Sequence, residues 1–238
     1  LSPEGKLIDD VIVKDKKTRK QALSQIKTQH VTLIPNSGGG VESILKTLPG
    51  VSSANELSSQ YSVRGGNFDE NMVYVNGIEV YRPFLVHSGQ QEGLSFVNSD
   101  MVENILFSAG GFEAKYGDKM SSVLDITYKT PTKNKASLQM SLLGGSAHFE
   151  GITSNNKFSY LFGFRNKSNQ YLLNAMDTRA EYKPNFSDAQ TYLKYQLKDN
   201  WTISFLGNIS QNKYRMIPKN RDTEFGTLNE ALKLRIFF

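Results

Sequence analysis

The stretch Lys157-Phe158-Ser159-Tyr160-Leu161-Phe162-Gly163-Phe164-Arg165-Asn166 decides the fold class. Phe158, Tyr160, Phe162 and Phe164 recur at every second position, so an extended strand puts all four rings on one face. Ser159, Gly163 and Arg165 fall on the other face, where Leu161 is the exception. The run 201–211 repeats the pattern. Trp201, Ile203, Phe205, Gly207 and Ile209 point one way, and Thr202, Ser204, Asn208 and Ser210 the other, with Leu206 out of step. Such runs exceed the usual strand of about 5–6 residues. They approach the ~9–11 residues of a tilted membrane-crossing strand, whose apolar side faces lipid.

Working outward, 136–143 and 147–153 read as strands joined at Gly144-Gly145-Ser146, 189–197 as another, and 228–238 as the last. Asn155-Asn156 and Asp199-Asn200 are tight turns, whereas polar loops span about 167–187 and 212–227. Short turns at one end and long loops at the other are the habit of outer-membrane barrels. A soluble β-sandwich is the alternative. In lipid, an open six-stranded sheet would leave two unpaired edges, so further strands or another chain must complete it. Eight strands enclose only side chains, and six cannot enclose a domain.

The character changes between 129 and 133, where Thr130-Pro131-Thr132 interrupts any strand. Upstream, Val41, Ile44, Leu45 and Leu48 keep the spacing of one helix face, after Gly38-Gly39-Gly40 and before Pro49-Gly50. Strands are predicted over 61–64, 72–75, 78–81, 102–108 and 122–128, with a hairpin at Asn76-Gly77. The expected architecture is an α+β unit followed by antiparallel transmembrane strands of a partial β-barrel. The expected divisions are a lead segment 1–16, an α+β domain 17–131 and the strands 132–238.

Composition narrows the function. The 238 residues contain no cysteine, which excludes disulfides, thiolate metal sites and cysteine nucleophiles. No run of 18 apolar residues is present, so no transmembrane helix is expected, and Leu1–Gly5 lacks the pattern of a signal peptide. The net charge of +5 is spread out. Its densest cluster, Lys14-Asp15-Lys16-Lys17-Thr18-Arg19-Lys20, has no interleaved aromatics and reads as a solvated segment, not as a nucleic-acid surface. His30, His87 and His148 keep no metal-ligand spacing, and neither HExxH nor GxSxG occurs. No enzyme, cofactor or metal is expected.

Three ordered blocks resemble the plug of TonB-dependent outer-membrane receptors, most of all the Bacteroidota branch with a carboxypeptidase-like regulatory domain upstream. They are Ile34-Pro35 through Leu48-Pro49-Gly50-Val51; Tyr61-Ser62-Val63-Arg64-Gly65-Gly66 leading to Val73-Tyr74-Val75-Asn76-Gly77-Ile78; and Ser108-Ala109-Gly110-Gly111-Phe112 through Tyr116-Gly117 to Ser121-Ser122-Val123-Leu124-Asp125-Ile126. The resemblance implies energy-coupled uptake of a nutrient across the outer membrane, with a plug gating the barrel and the N-terminus in the periplasm. It implies TonB as partner, through a TonB box similar to Asp9-Asp10-Val11-Ile12-Val13, an extended β-branched segment suited to strand addition. Arg64 would lock plug to barrel with its donor fork, and His87, Gln90, Gln91 and Glu92 would lie on a substrate-facing loop. Gly65, Gly66, Gly77, Gly110, Gly111 and Gly117 read as backbone-geometry positions. Outer-membrane lipid, a surface lipoprotein and other subunits of an outer-membrane complex are further expected partners. The alternative function is a non-transporting structural subunit.

Overall fold

A computed structural model describes residues 23–26, 40–53, 58–81, 83, 94–118, 120–175, 180–198, 200–218, 220–223 and 226–229. In the N-terminal half, β1 (Ser24–Ile26) precedes a short helix α1 (Val41–Leu45). Val41, Ile44 and Leu45 are buried and Leu48 packs behind them, as the helical spacing predicts. A two-stranded ribbon follows, β2 (Val51–Ser52) with β3 (Ser62–Val63). Then come β4 (Asn71–Val75), β5 (Ile78–Glu79), β6 (Val102–Ser108) and β7 (Ser122–Tyr128). These form a mixed sheet in the order β1-β6-β7-β4-β5, in which only β4 and β7 run parallel. Asn76 and Gly77 both take positive φ, 51° and 77°, as the tight turn between β4 and β5 requires. The Asn76 side chain also accepts the Tyr128 backbone N–H at 2.8 Å, tying the hairpin to β7.

The C-terminal half is a second sheet of five consecutive antiparallel strands: β8 (Lys135–Ser141), β9 (Gly144–Ile152), β10 (Phe158–Lys167), β11 (Ala180–Lys198) and β12 (Trp201–Pro218). A helix α2 (Gln170–Ala175) joins β10 to β11, and a separate hairpin of β13 (Asn220–Thr223) and β14 (Gly226–Asn229) follows.

Three expectations change. The turn between β8 and β9 is Leu142-Leu143, and Gly144 to Ser146 lie inside β9. Gly144 serves a close approach instead: at φ 142°, a Cβ there would collide with the Asn166 backbone of β10. The supposed loop 167–187 holds α2 and the first eight residues of β11. The supposed loop 212–227 holds the end of β12 and most of the β13–β14 hairpin. Polar residues there continue an antiparallel ladder because backbone pairing does not need apolar side chains. With 19 residues, β11 spans about 65 Å, roughly twice a ~30 Å hydrocarbon core.

The two faces of the second sheet differ sharply. On the outer face the register aligns Tyr195, Phe158 and Ile203 of β11, β10 and β12; then Leu193, Tyr160 and Phe205; then Phe149, Phe162, Thr191 and Gly207; then Leu138, Ala147, Phe164, Ala189 and Ile209. Phe205 is 57% exposed and Ile209 80%, which an aqueous sheet would not leave as a continuous patch. From Trp201 to Ile209 is about 27 Å along the strand, or about 20 Å of height at a 35–45° tilt. That nears the ~25 Å apolar belt of an outer-membrane barrel. The next row turns polar, where the Asn166 amide donates to Asn185 at 3.0 Å and to Ser187 at 2.8 Å.

Candidate functional site

The inner face of the second sheet packs on the first. Leu161 is fully buried and joins the core cluster of Val97, Met101, Ile105 and Tyr128, with Leu206 and Tyr192 packed against it. The two leucines that break the strand alternation are therefore contacts between the halves. The rings of Tyr128 and Tyr192 meet edge-to-face at 6.3 Å. Gly163 lies between Leu161 and Arg165 on the same face. A Cβ there would collide with the Asn98 amide and come within 3.0 Å of Met101 Sδ. Missing side-chain volume on the wall is thus what admits the Asn98–Met101 turn. Gly163→Ala is expected to cost about 1–3 kcal/mol by overpacking; an unchanged melting temperature would show that the notch is not needed.

The polar part of this seam centres on Arg165. Its Nε and one terminal nitrogen donate to the two carboxylate oxygens of Asp188, at 2.8 and 2.6 Å. The register sets these residues directly opposite each other on β10 and β11. The guanidinium also donates across the seam, to the carbonyls of Val97 at 2.7 Å and Ser95 at 2.9 Å. The intervening Phe96 carbonyl accepts from the Gln190 amide, and Gln190 in turn accepts the Tyr128 hydroxyl at 2.9 Å. Burial pushes the Tyr128 phenol well above its ordinary range, so it remains a neutral donor. Three consecutive carbonyls of the first half, 95 to 97, are thus held by side chains of the second. Arg165 and Asp188 are 8% and 2% exposed. The planar five-donor fork allows one residue to serve an acid and two carbonyls.

Nearby, Glu42 of α1 is buried, and burial holds its carboxyl above the usual range despite a hydrogen bond with Ser95 and the charge of Arg165. Further along the wall, Glu150 lies 3.5 Å from Lys135 and 3.7 Å from His148. Among the described residues no group of three acids or histidines could hold a metal ion. A cleft of about 260 Å³ opens beside the pinned segment, lined by Ser95, Asp100, Gln139, Asn166 and Lys167 among others. Small-molecule sites usually enclose about 300–1,000 Å³, so this cleft alone is a small one.

Residues 7–123 match the family model described as TonB-dependent Receptor Plug Domain. The chain carries the plug domain of the TonB-dependent receptor family. No curated protein sequence matches it significantly. Solved structures of similar fold include a mutant ferric enterobactin receptor of Pseudomonas aeruginosa in complex with enterobactin, at 19% identity and a TM-score of 0.57 over 82% of this chain and 33% of that one. The siderophore receptor PirA of the same organism matches at 20% identity and 0.56, over 87% and 38%. The outer membrane transporter YddB of Escherichia coli matches at 14% and 0.56, over 82% and 33%. The chain spans about a third of the length of these structures. Its first sheet is the plug, and its second is part of an antiparallel barrel wall that is not closed.

Of the residues singled out from sequence, Asp9 to Val13 and His87, Gln90, Gln91 and Glu92 lie outside the described residues. Arg64 is exposed at φ 51°, its backbone N–H bonded to the Gly50 carbonyl at 2.8 Å and its side chain alongside Gly50 and Gly110. Gly65, Gly110 and Gly111 have positive φ, whereas at Gly66 a Cβ would collide with Ser121. Sequence reading passed over Asp188 and Gln190 as seam residues. The available signal was a lone arginine on the small-residue face of an apolar strand.

Proposed function

We propose that this chain gates TonB-dependent, energy-coupled uptake of a nutrient such as a siderophore, vitamin, glycan or peptide. Its segments are a lead 1–16 that carries the TonB box, a plug 17–131 and the first strands of the wall from 132. The N-terminus faces the periplasm and the tight turns at Asn155-Asn156 and Asn200 lie on that side. The observation that carries this reading is the plug segment whose three successive carbonyls are held by Arg165 and Gln190. A plug held by one compact polar patch can be sealed at rest and released by force. Within this reading Arg64 is a second lock, paired with acids of wall strands beyond those described, and His87, Gln90, Gln91 and Glu92 contact the substrate.

Deleting Asp9 to Val13 in the receptor containing this chain is the test. Uptake should fall to background while outer-membrane abundance and antibiotic leak stay unchanged. Retained uptake would instead favour a structural subunit of a larger outer-membrane complex, in company with a surface lipoprotein. The leak assay applied to Arg64→Ala tests that lock, which no rise in leak would overturn.

A further inference from the structure

Behind the pinned segment lies a buried acid, Glu42 of α1, which is 3% exposed. Ser95 meets its carboxyl in a hydrogen bond. Among the described residues nothing bonds the second carboxyl oxygen, Oε2. A bare carboxylate oxygen is costly inside a protein, whereas a protonated carboxyl has no charge to solvate. Burial outweighs the nearby cations and holds the group above its ordinary 4.5. Those cations are Arg165 and Lys167 from β10 and Lys46 from the end of α1. Arg165 is paired with Asp188 at 2.8 and 2.6 Å, and Lys46 donates to the Ser58 carbonyl at 2.6 Å. The phenols of Tyr61 and Tyr128 also face Glu42, and burial keeps both neutral.

Ser95 links this acid to the seam. Its carbonyl accepts from Arg165 at 2.9 Å, and its hydroxyl donates to the Val97 carbonyl at 3.4 Å. With its one proton given to Val97, the hydroxyl oxygen can accept from a neutral Glu42. An ionised Glu42 has only acceptors, so it would draw the Ser95 hydroxyl away from Val97. Ser95 also stands between the acid and water. It lines the cleft of about 260 Å³ together with Gly40. A Cβ added to Gly40 would stand 3.0 Å from Glu42 Oε2, so the carboxyl lies directly behind that wall. Once the 95–97 segment moves, water in the cleft reaches Glu42.

We infer that Glu42 is a positioning residue of the plug lock: its neutral carboxyl keeps Ser95 in place for Arg165, and plug release passes its proton to water in the cleft. The carboxyl O–H bond breaks in that step, and a solvated carboxylate remains on the plug. This rests on the reading that the 95–97 segment leaves Arg165 when the plug is released. The closed state then binds one proton more than the released state. Closure has its full strength below the ordinary 4.5 and weakens as pH rises through the higher value of the closed state.

The test uses the receptor containing this chain in a planar lipid bilayer, where urea-induced plug release is followed as conductance from acid to neutral pH. E42Q keeps the shape and the neutrality of the resting side chain. His148, also on the seam, is of a type that titrates in this range, so the wild type is read against E42Q at each pH. The ratio of released to closed receptor in the wild type, divided by that in E42Q, should climb by up to about tenfold per pH unit and then level off. A quotient that stays flat or falls overturns the inference. Difference infrared spectra of the wild type with isotope-labelled glutamate need no variant. One pH unit above the ordinary value, the carbonyl band of a protonated glutamate should vanish on plug release, and its absence from the closed receptor overturns the inference. If Arg165→Ala does not release the plug, the seam reading falls and this inference with it. If Arg165→Ala releases the plug and the quotient is flat, only the role of Glu42 falls.

Discussion

Arg165→Ala is expected to unseat the plug. The substitution leaves Asp188 charged, 2% exposed and without its partner, and strips donors from the Ser95 and Val97 carbonyls. Breaking a buried ion pair from one side costs about 3–5 kcal/mol. Each stranded buried carbonyl adds about 1–3 kcal/mol, less than additively, because neighbouring losses share one relaxation. A domain stable by about 5–15 kcal/mol cannot absorb this without local opening. The receptor carrying the substitution should admit large antibiotics and become sensitive to protease between residues 83 and 101. Arg165→Met with Asp188→Leu provides the contrast. Removing both charges should restore much of the thermal stability. The Ser95 and Val97 carbonyls stay unpinned, so the leak should persist. Wild-type leak and protease resistance in Arg165→Ala would show that the seam does not hold the plug.

The second large effect is expected at Phe162→Arg. Phe162 is 45% exposed and sits in the third of the four full outward rows, flanked by Phe149 and Thr191. A cation at the midplane of a barrel's lipid face costs about 2–4 kcal/mol, whereas near the interface it costs about 0–1. Asn185→Arg, above the polar row, is the matched control. Folding of the receptor into lipid vesicles, followed by denaturant titration, should separate the two by several kcal/mol. If this face met water, both substitutions would fall within about 0.5 kcal/mol of the wild type, and the membrane reading would fail.

Much of the fold was legible in the chain. The helical spacing of Val41, Ile44 and Leu45, the Asn76-Gly77 hairpin and the strands Val102–Ser108 and Ser122–Tyr128 all appear where local pattern puts them. The outward rings of β10 and β12 do as well. The ends of the wall strands were not legible. Alternation between apolar and polar side chains records a boundary between lipid and interior, and beyond the apolar belt the outward residues Ser187, Asn185, Gln211 and Lys213 are polar. The ladder continues there with no side-chain signal to mark it. Gly144 misled for a related reason: it is small because β10 passes close by, which a local reading takes for a turn.

The sequence by itself determined the two halves, the periodicity that assigns each wall residue to lipid or lumen, and the ordered plug motifs. Tertiary structure decided what the lumen side is for. Leu161 and Leu206 looked like errors in an alternating pattern until the plug core was placed against them. Arg165 looked like a lone charge until the register brought Asp188 opposite it across 23 residues of chain, and packing brought Val97 and Ser95 to it from 68 and 70 residues away. Local spacing encodes which way a side chain points. It does not encode which distant backbone will arrive there, because that partner is selected by the packing of two whole sheets.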